Sequence, residues 1–168
     1  MIRPPAEDAH LVYKIMLSAF EEYRNSDTPS GALAETVSSI EEALRNGSEM
    51  ALLYYLNGVP AGTVRFRTDN NSLYFFRLSV IPEARNRGIA KAMLAWLENY
   101  AKEHGLNEIW CKVRKSVPRN IRLYESAGFI VFREFIKLNS YKFHHRLLSF
   151  PVISRNMLSR LFFCSSIL

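Results

Sequence analysis

Leu78-Ser79-Val80-Ile81-Pro82-Glu83-Ala84-Arg85-Asn86-Arg87-Gly88-Ile89-Ala90 joins two different periodicities across one tight polar turn. Upstream, Leu73 to Val80 reads as a strand. Downstream, Ala90, Met93, Leu94, Leu97 and Ala101 line one face of a helix from Gly88 to Glu103, with Lys91, Asn99 and Lys102 pointing away. His104-Gly105 closes it, and Glu108 to Val113 reads as the next strand. A strand–helix–strand unit predicts a parallel pair, because strands joined by a helical crossover run the same way.

Working outward, Arg119 to Ser126 is a short helix ended by Gly128, and Phe129 to Ile136 a further strand. On the other side, Met50 to Leu56 and Val59 to Phe66 flank Asn57-Gly58, the signature of a two-residue hairpin. Glu7 to Phe20 is an amphipathic helix, and Leu33, Val37, Ile40 and Leu44 mark another that closes near Asn46-Gly47. A short strand starts at Ile2. The expectation is a single α/β domain over residues 1–138, followed by an atypical segment, 139–168.

The chain has 168 residues, 48% of them hydrophobic and 23% charged, which suits one folded domain with a real core. No run of about 18 apolar residues appears, so no membrane partner is expected. The N-terminus lacks a charged-then-apolar leader, and only Cys111 and Cys164 occur, so a reduced, cytoplasmic protein without disulfides is expected. His10, His104, His144 and His145 have no ligand spacing, so no metal site is expected. Lys142, Arg146, Arg155 and Arg160 supply four of the six net positive charges, which leaves +2 over residues 1–138. A near-neutral body argues against a nucleic-acid partner. The 139–168 segment lacks Asp, Glu and Gly. Its Tyr141 to Phe150 suits a strand, and Ile153, Met157, Leu158, Leu161 and Phe162 suit a helix. A tail for an anionic partner, an altered reading frame, and an apolar surface that drives a homodimer all remain open.

The turn before the long helix has the chemistry of an anion cradle. A helix start exposes unsatisfied N–H groups at the positive end of the dipole, and phosphate binds there without special side chains. Gly88 and Ala90 keep the approach open, while Arg85 and Arg87 add charge suited to phosphate oxygens. A polar turn that merely caps the helix is the competing reading. Asn120 and Tyr124 share one face of the short helix at i, i+4. Alone, they are equally a helix cap and a core aromatic.

Together these two segments resemble the GNAT superfamily of acyl-CoA-dependent N-acetyltransferases. Arg85-Asn86-Arg87-Gly88-Ile89-Ala90 is similar to its Arg/Gln-x-x-Gly-x-Gly/Ala loop, and Asn120-Ile121-Arg122-Leu123-Tyr124-Glu125-Ser126-Ala127-Gly128-Phe129 to its Asn-x-x-x-Tyr-x-x-x-Gly-Phe pattern. The resemblance covers about residues 1–138. It implies a mixed, mostly antiparallel central sheet with a splayed parallel pair and about four flanking helices. It also implies acetyl-CoA as co-substrate and a small amine or peptide as acceptor. Leu78, Ser79 and Val80 would carry the pantetheine arm through the backbone of Leu78 and Val80. The amides of Arg85, Asn86, Arg87, Gly88, Ile89, Ala90 and Lys91 would hold the pyrophosphate, and Asn120 would bond the pantetheine arm.

The reaction implied is direct attack of the amine on the thioester. Tyr124, a phenol with pKa of about 10, would protonate a departing thiolate whose conjugate acid has pKa ~8.5. The amide of Val80 is the natural donor to the developing oxyanion. An alkyl amine is neutral in only about one molecule in a thousand at pH 7, so a base would help. Many family members place an acid on the central strand, but Tyr74-Phe75-Phe76-Arg77-Leu78-Ser79 has none. Glu21 and Glu22, near the acceptor region in the family, are the candidates, with solvated surface acids as the plain alternative. Phe20, Tyr23, Phe75 and Phe76 could line an aromatic acceptor pocket. A CoA-binding regulatory module without catalysis is the alternative to an enzyme.

Overall fold

The computed structural model describes residues 2–3, 8–26, 30–114, 116–139 and 141–151, with 2–3 and 131–151 described by backbone alone. Strands β1 (Ile2–Arg3), β2 (Met50–Leu56), β3 (Val59–Asp69), β4 (Ser72–Val80), β5 (Glu108–Arg114), β6 (Ile130–Asn139) and β7 (Tyr141–Pro151) form one sheet in the order β1-β2-β3-β4-β5-β7-β6. Every pairing is antiparallel except β4 with β5. The helices are α1 (Ala9–Phe20), α2 (Val37–Arg45), α3 (Ile89–Glu103) and α4 (Pro118–Glu125). The mixed sheet, the parallel pair and the four helices are as expected. β7, drawn from the basic segment, inserts between β5 and β6 and leaves β6 at the edge. The helix expected over Ile153 to Phe162, and Cys164, lie outside the described residues.

Alternation along β2 shows how two layers of helices are held. Ala51 and Leu53 are buried against α1 and α2, where Val12, Ile15, Met16 and Ile40 close one core. Leu52 points the other way and joins Val64, Phe66, Leu73, Phe75, Met93, Leu97 and Ile109 under α3. α3 buries Ile89, Met93, Leu94, Leu97 and Ala101, the helical stripe read from the sequence. Full burial of each larger member contributes about 1.5–3 kcal/mol. The Asn57-Gly58 turn has both residues at positive φ, 51° and 81°, as a hairpin between right-twisted strands requires.

One boundary differs from the sequence reading. α2 starts at Val37, not near Leu33. Thr36 and Ser39 cap each other there (Ser39 N–H to Thr36 Oγ1 3.2 Å, Thr36 N–H to Ser39 Oγ 3.1 Å), and Gly31–Ala34 is a separate 3-10 turn. On β5, Trp110 lies partly exposed. It stacks on Tyr74 at 4.2 Å and donates its indole N–H to Ser72 Oγ.

The feature that positions the site is the divergence of β4 and β5. They pair only at Ser72↔Glu108, Leu73↔Ile109 and Tyr74↔Trp110. Beyond Tyr74, β4 carries a bulge, with the β3 register shifting between Thr63 and Arg65 and Arg77 at φ +55°. A bulge bends its strand and strengthens the local twist. A left-handed φ at a non-glycine residue is uncommon and is held by its surroundings. Here Glu35 holds it, accepting from Arg77 Nε at 2.7 Å while also pairing with Arg65. The Arg65 side chain is only 5% exposed and takes Glu49 as its second carboxylate. Glu35→Ala is therefore expected to lower stability by about 2 kcal/mol in chemical denaturation, since it strips one carboxylate from a buried guanidinium and frees the bulge. A change under about 0.5 kcal/mol would show that Glu35 does not hold the strand.

Candidate active site

Where β4 and β5 part, two clefts open and share a wall made by Phe20, Tyr23, Leu78, Asn120 and Tyr124. The first, about 630 Å³, runs from Leu78–Val80 to the start of α3. The second, about 530 Å³, runs along the diverging strands on the other side of Tyr124. The i, i+4 pair on α4 therefore stands between them, as its spacing on one helix face predicts. The α4 cap is Val117 with Pro118 at the first turn, so Asn120 is not the N-cap.

The turn into α3 has free donors. Asn86 (φ 61°) and Gly88 (φ 78°) both adopt the left-handed conformation, which turns successive amides to one side. No side chain caps α3. Among the described turn and cap bonds, none is donated by the amides of Asn86 to Lys91. One expectation is corrected. The Arg85 amide donates to Pro82 O at 3.3 Å, so it is spent inside the protein and the run of amides without a described turn bond starts at Asn86. Gly88 serves here through its φ, because a Cβ would meet no protein atom within 4 Å. The close approach falls at Gly62, where a Cβ would lie 3.0 Å from Ile89 Cγ2, so this glycine lets α3 sit down on β3. A row of donors at a helix start beside a cleft of this size suits a diphosphate-bearing arm.

Side chains at the cradle are arranged differently from the sequence reading. Arg87 is exposed and does not line the first cleft, whereas Arg85, Asn86, Gly88, Ile89, Ala90 and Lys91 do. The Arg85 guanidinium reaches Ala19 O (3.2 Å) and the Glu22 carboxylate (3.2 Å). Glu22 also binds Arg119, which donates to the Tyr23 hydroxyl at 3.2 Å. Glu22 thus stands in the first cleft gripped by two guanidiniums, a poor place for a base that must meet an amine. Glu21 is exposed and lines neither cleft. Arg24 hydrogen-bonds its carboxylate and holds its pKa below the ordinary value, which further weakens it as a base. Neither glutamate faces the second cleft.

One backbone group on β4, the Val80 amide, faces the gap. The Ile81 amide donates to Ala61 O at 3.0 Å, so alternation along an antiparallel ladder turns the neighbouring Val80 amide away from β3. Ser79 is buried, and its hydroxyl donates to Arg77 O at 2.9 Å. Tyr124 is 8% exposed and packs edge-on against Phe75 (5.7 Å). Burial raises its phenol well above the usual value of 10.0, so it remains protonated through neutral pH.

The second cleft is aromatic and cationic. Phe20, Tyr23, Phe75 and Phe76 all line it, as expected for an aromatic pocket. Arg77, Lys112 and Arg114 line it as well, and none of its described lining residues is Asp or Glu. These three cations were not singled out from the sequence. The available signal was the alternation Lys112-Val113-Arg114, which puts both charges on one face of a strand. Cys111 also lines it, and burial drives its thiol well above the ordinary range, so it stays neutral. Among the described residues, no group of three His, Cys, Asp or Glu could hold a metal ion, and no helix is long and apolar enough to cross a membrane.

A [ribosomal protein bS18]-alanine N-acetyltransferase of Escherichia coli (strain K12) is 35% identical over 54 residues, 32% of this chain and 36% of that protein. The chain thus matches only about a third of the length of such curated relatives. Solved structures share the fold more broadly. An N-acetyltransferase from Staphylococcus aureus Mu50 superposes with a TM-score of 0.75 at 18% identity, over 91% of this chain and 98% of that one. The structure of yncA from Salmonella typhimurium with its cofactor acetyl-CoA gives 0.74 at 16% identity, over 92% and 94%. The model of the Acetyltransferase (GNAT) family matches residues 12–129, from the first helix through the cradle turn to the glycine and phenylalanine that close α4. With that span matched and the splayed strands in place, the chain belongs to the acetyltransferase (GNAT) family.

Proposed function

We propose that the protein transfers the acetyl group of acetyl-CoA to the amine of a small molecule or peptide, by direct attack, in the cytoplasm. The observation that carries this reading is the meeting of two clefts at Tyr124. One ends in an uncapped amide cradle, and the other has room for an acceptor. Residues 1–138 are assigned to the acetyltransferase domain and 139–168 to an atypical segment that supplies strand β7 to its sheet, with a homodimer as the proposed assembly. The amides of Asn86 to Lys91 would hold the diphosphate, the Leu78–Val80 backbone and Asn120 the pantetheine arm.

In the reaction, the amine nitrogen attacks the thioester carbonyl carbon. The C–N bond forms and the C–S bond breaks. The sulfur leaves with the bonding electron pair and takes a proton from Tyr124. The surplus proton on nitrogen goes to water, and solvent restores the phenol. The Val80 amide, turned toward the gap, stabilises the charge that builds on the carbonyl oxygen. Mixing the protein with acetyl-CoA and a panel of amines and peptides, and reading free thiol, tests the reading. Thiol release that depends on an amine is expected. CoA binding with no release from any acceptor would leave a binding module instead.

A further inference from the structure

We infer that Glu22 competes with the diphosphate of acetyl-CoA for two arginines, and so sets how tightly the cofactor is held and how fast CoA leaves. This rests on the acetyl-CoA reading above and concerns the first cleft. Three elements far apart in sequence meet along its wall: the Glu21–Tyr23 turn after α1, the turn before α3 and the first turn of α4. Each contributes a charged side chain to the lining, Glu22, Arg85 and Arg119. The Glu22 carboxylate accepts from Arg85 through both oxygens, at 3.2 and 3.4 Å, and its Oε1 accepts from Arg119 as well. Two guanidiniums thus share one carboxylate, and neither has a second carboxylate among its described partners. The trio keeps a positive charge over, beside a row of amides suited to an anion.

These contacts are of the kind an incoming anion replaces. Arg85 is 30% exposed, Arg119 53% and Glu22 33%, and ion pairs at such exposure contribute little. Both Arg85 bonds are long for a charge-assisted contact. A guanidinium presents several N–H donors in a planar fork that matches phosphate oxygens. A diphosphate carries more charge than a carboxylate and offers more oxygens, so exchange favours it when acetyl-CoA enters.

Glu22 then stands beside like charge, which lowers the affinity for the cofactor. As CoA departs, the carboxylate recaptures the two guanidiniums and assists its release. A clamp that only held the three elements together has the opposite signature, because removing it loosens the cleft and weakens binding.

Glu22→Gln keeps the length of the side chain and removes its charge. Calorimetry is expected to show acetyl-CoA bound about fivefold tighter than by the parent protein, and stopped-flow displacement a CoA dissociation slower by a similar factor. Affinity for pantetheine, which lacks the diphosphate, is expected to stay the same. In an Arg85→Met, Arg119→Met background the gain from Glu22→Gln is expected to vanish. Equal or weaker acetyl-CoA binding by Glu22→Gln overturns the inference and leaves the transferase reading standing. So does an equal gain for pantetheine, or the full gain without the two arginines. If Glu22→Gln does not fold, Arg119→Met is read instead, since it leaves Arg85 neutralised by Glu22. It is expected to weaken acetyl-CoA binding about fivefold, and unchanged affinity overturns the inference. Failure of the parent protein to bind acetyl-CoA overturns the transferase reading and this inference with it.

Discussion

Tyr124→Phe is expected to lower kcat about a hundredfold while leaving the KM for acetyl-CoA close to that of the parent protein. The substitution removes one hydroxyl and keeps the ring. The ring contacts with Phe75 at 5.7 Å and Phe129 at 5.9 Å survive, so the melting temperature should barely move. What is lost is the hydroxyl proposed as proton donor, on the wall between the two clefts. The direction of the pKa shift adds a second readout. Burial holds the phenol above its ordinary value, so the acid form persists as pH rises and is lost only above pH 10. An alkaline fall in kcat at lower pH would belong to another group. Unchanged kcat in the variant would remove Tyr124 from the chemistry and leave it as a core aromatic.

Gly88→Val is expected to weaken acetyl-CoA binding on the order of a hundredfold. A β-branched residue at φ +78° is a strong outlier. A left-handed conformation costs an ordinary L-residue about 1–2 kcal/mol, so the turn would relax and re-aim the amides beside it. Each amide bond to an anion lost is worth about 1.5–3 kcal/mol. Space is not the cause, since nothing of the protein lies within 4 Å of the added Cβ. Calorimetry with acetyl-CoA reads the effect. Affinity within about threefold of the parent protein would mean that the turn's conformation does not matter to binding.

The strand–turn–helix at the centre was legible because its signals are local. The α3 stripe has a clear helical period, and Asn120 and Tyr124 share a face by spacing alone. The bulge that splays the sheet was not legible. No glycine marks it, and Arg77 is held in its left-handed conformation by Glu35, 42 residues away. The start of α2 was missed because its cap is a Thr36–Ser39 pair without the usual Glu or Gln. The two glutamates show the same limit. Their place after α1 was readable, but their partners were not. Glu22 is claimed by arginines from two distant elements, Arg85 before α3 and Arg119 in α4. The lining of the second cleft likewise comes from strands distant in sequence, β4 and β5, and so belongs to the fold and not to any one motif.

Acetyl-CoA binding as proposed depends on the turn before α3 acting as the diphosphate cradle. Amide chemical shifts, followed while CoA or pantetheine is added to the labelled protein, test this most directly. The amides of Asn86 to Lys91 should move strongly with CoA and hardly at all with pantetheine, which lacks the diphosphate. Equal responses to both ligands, or none at those six residues, would contradict it.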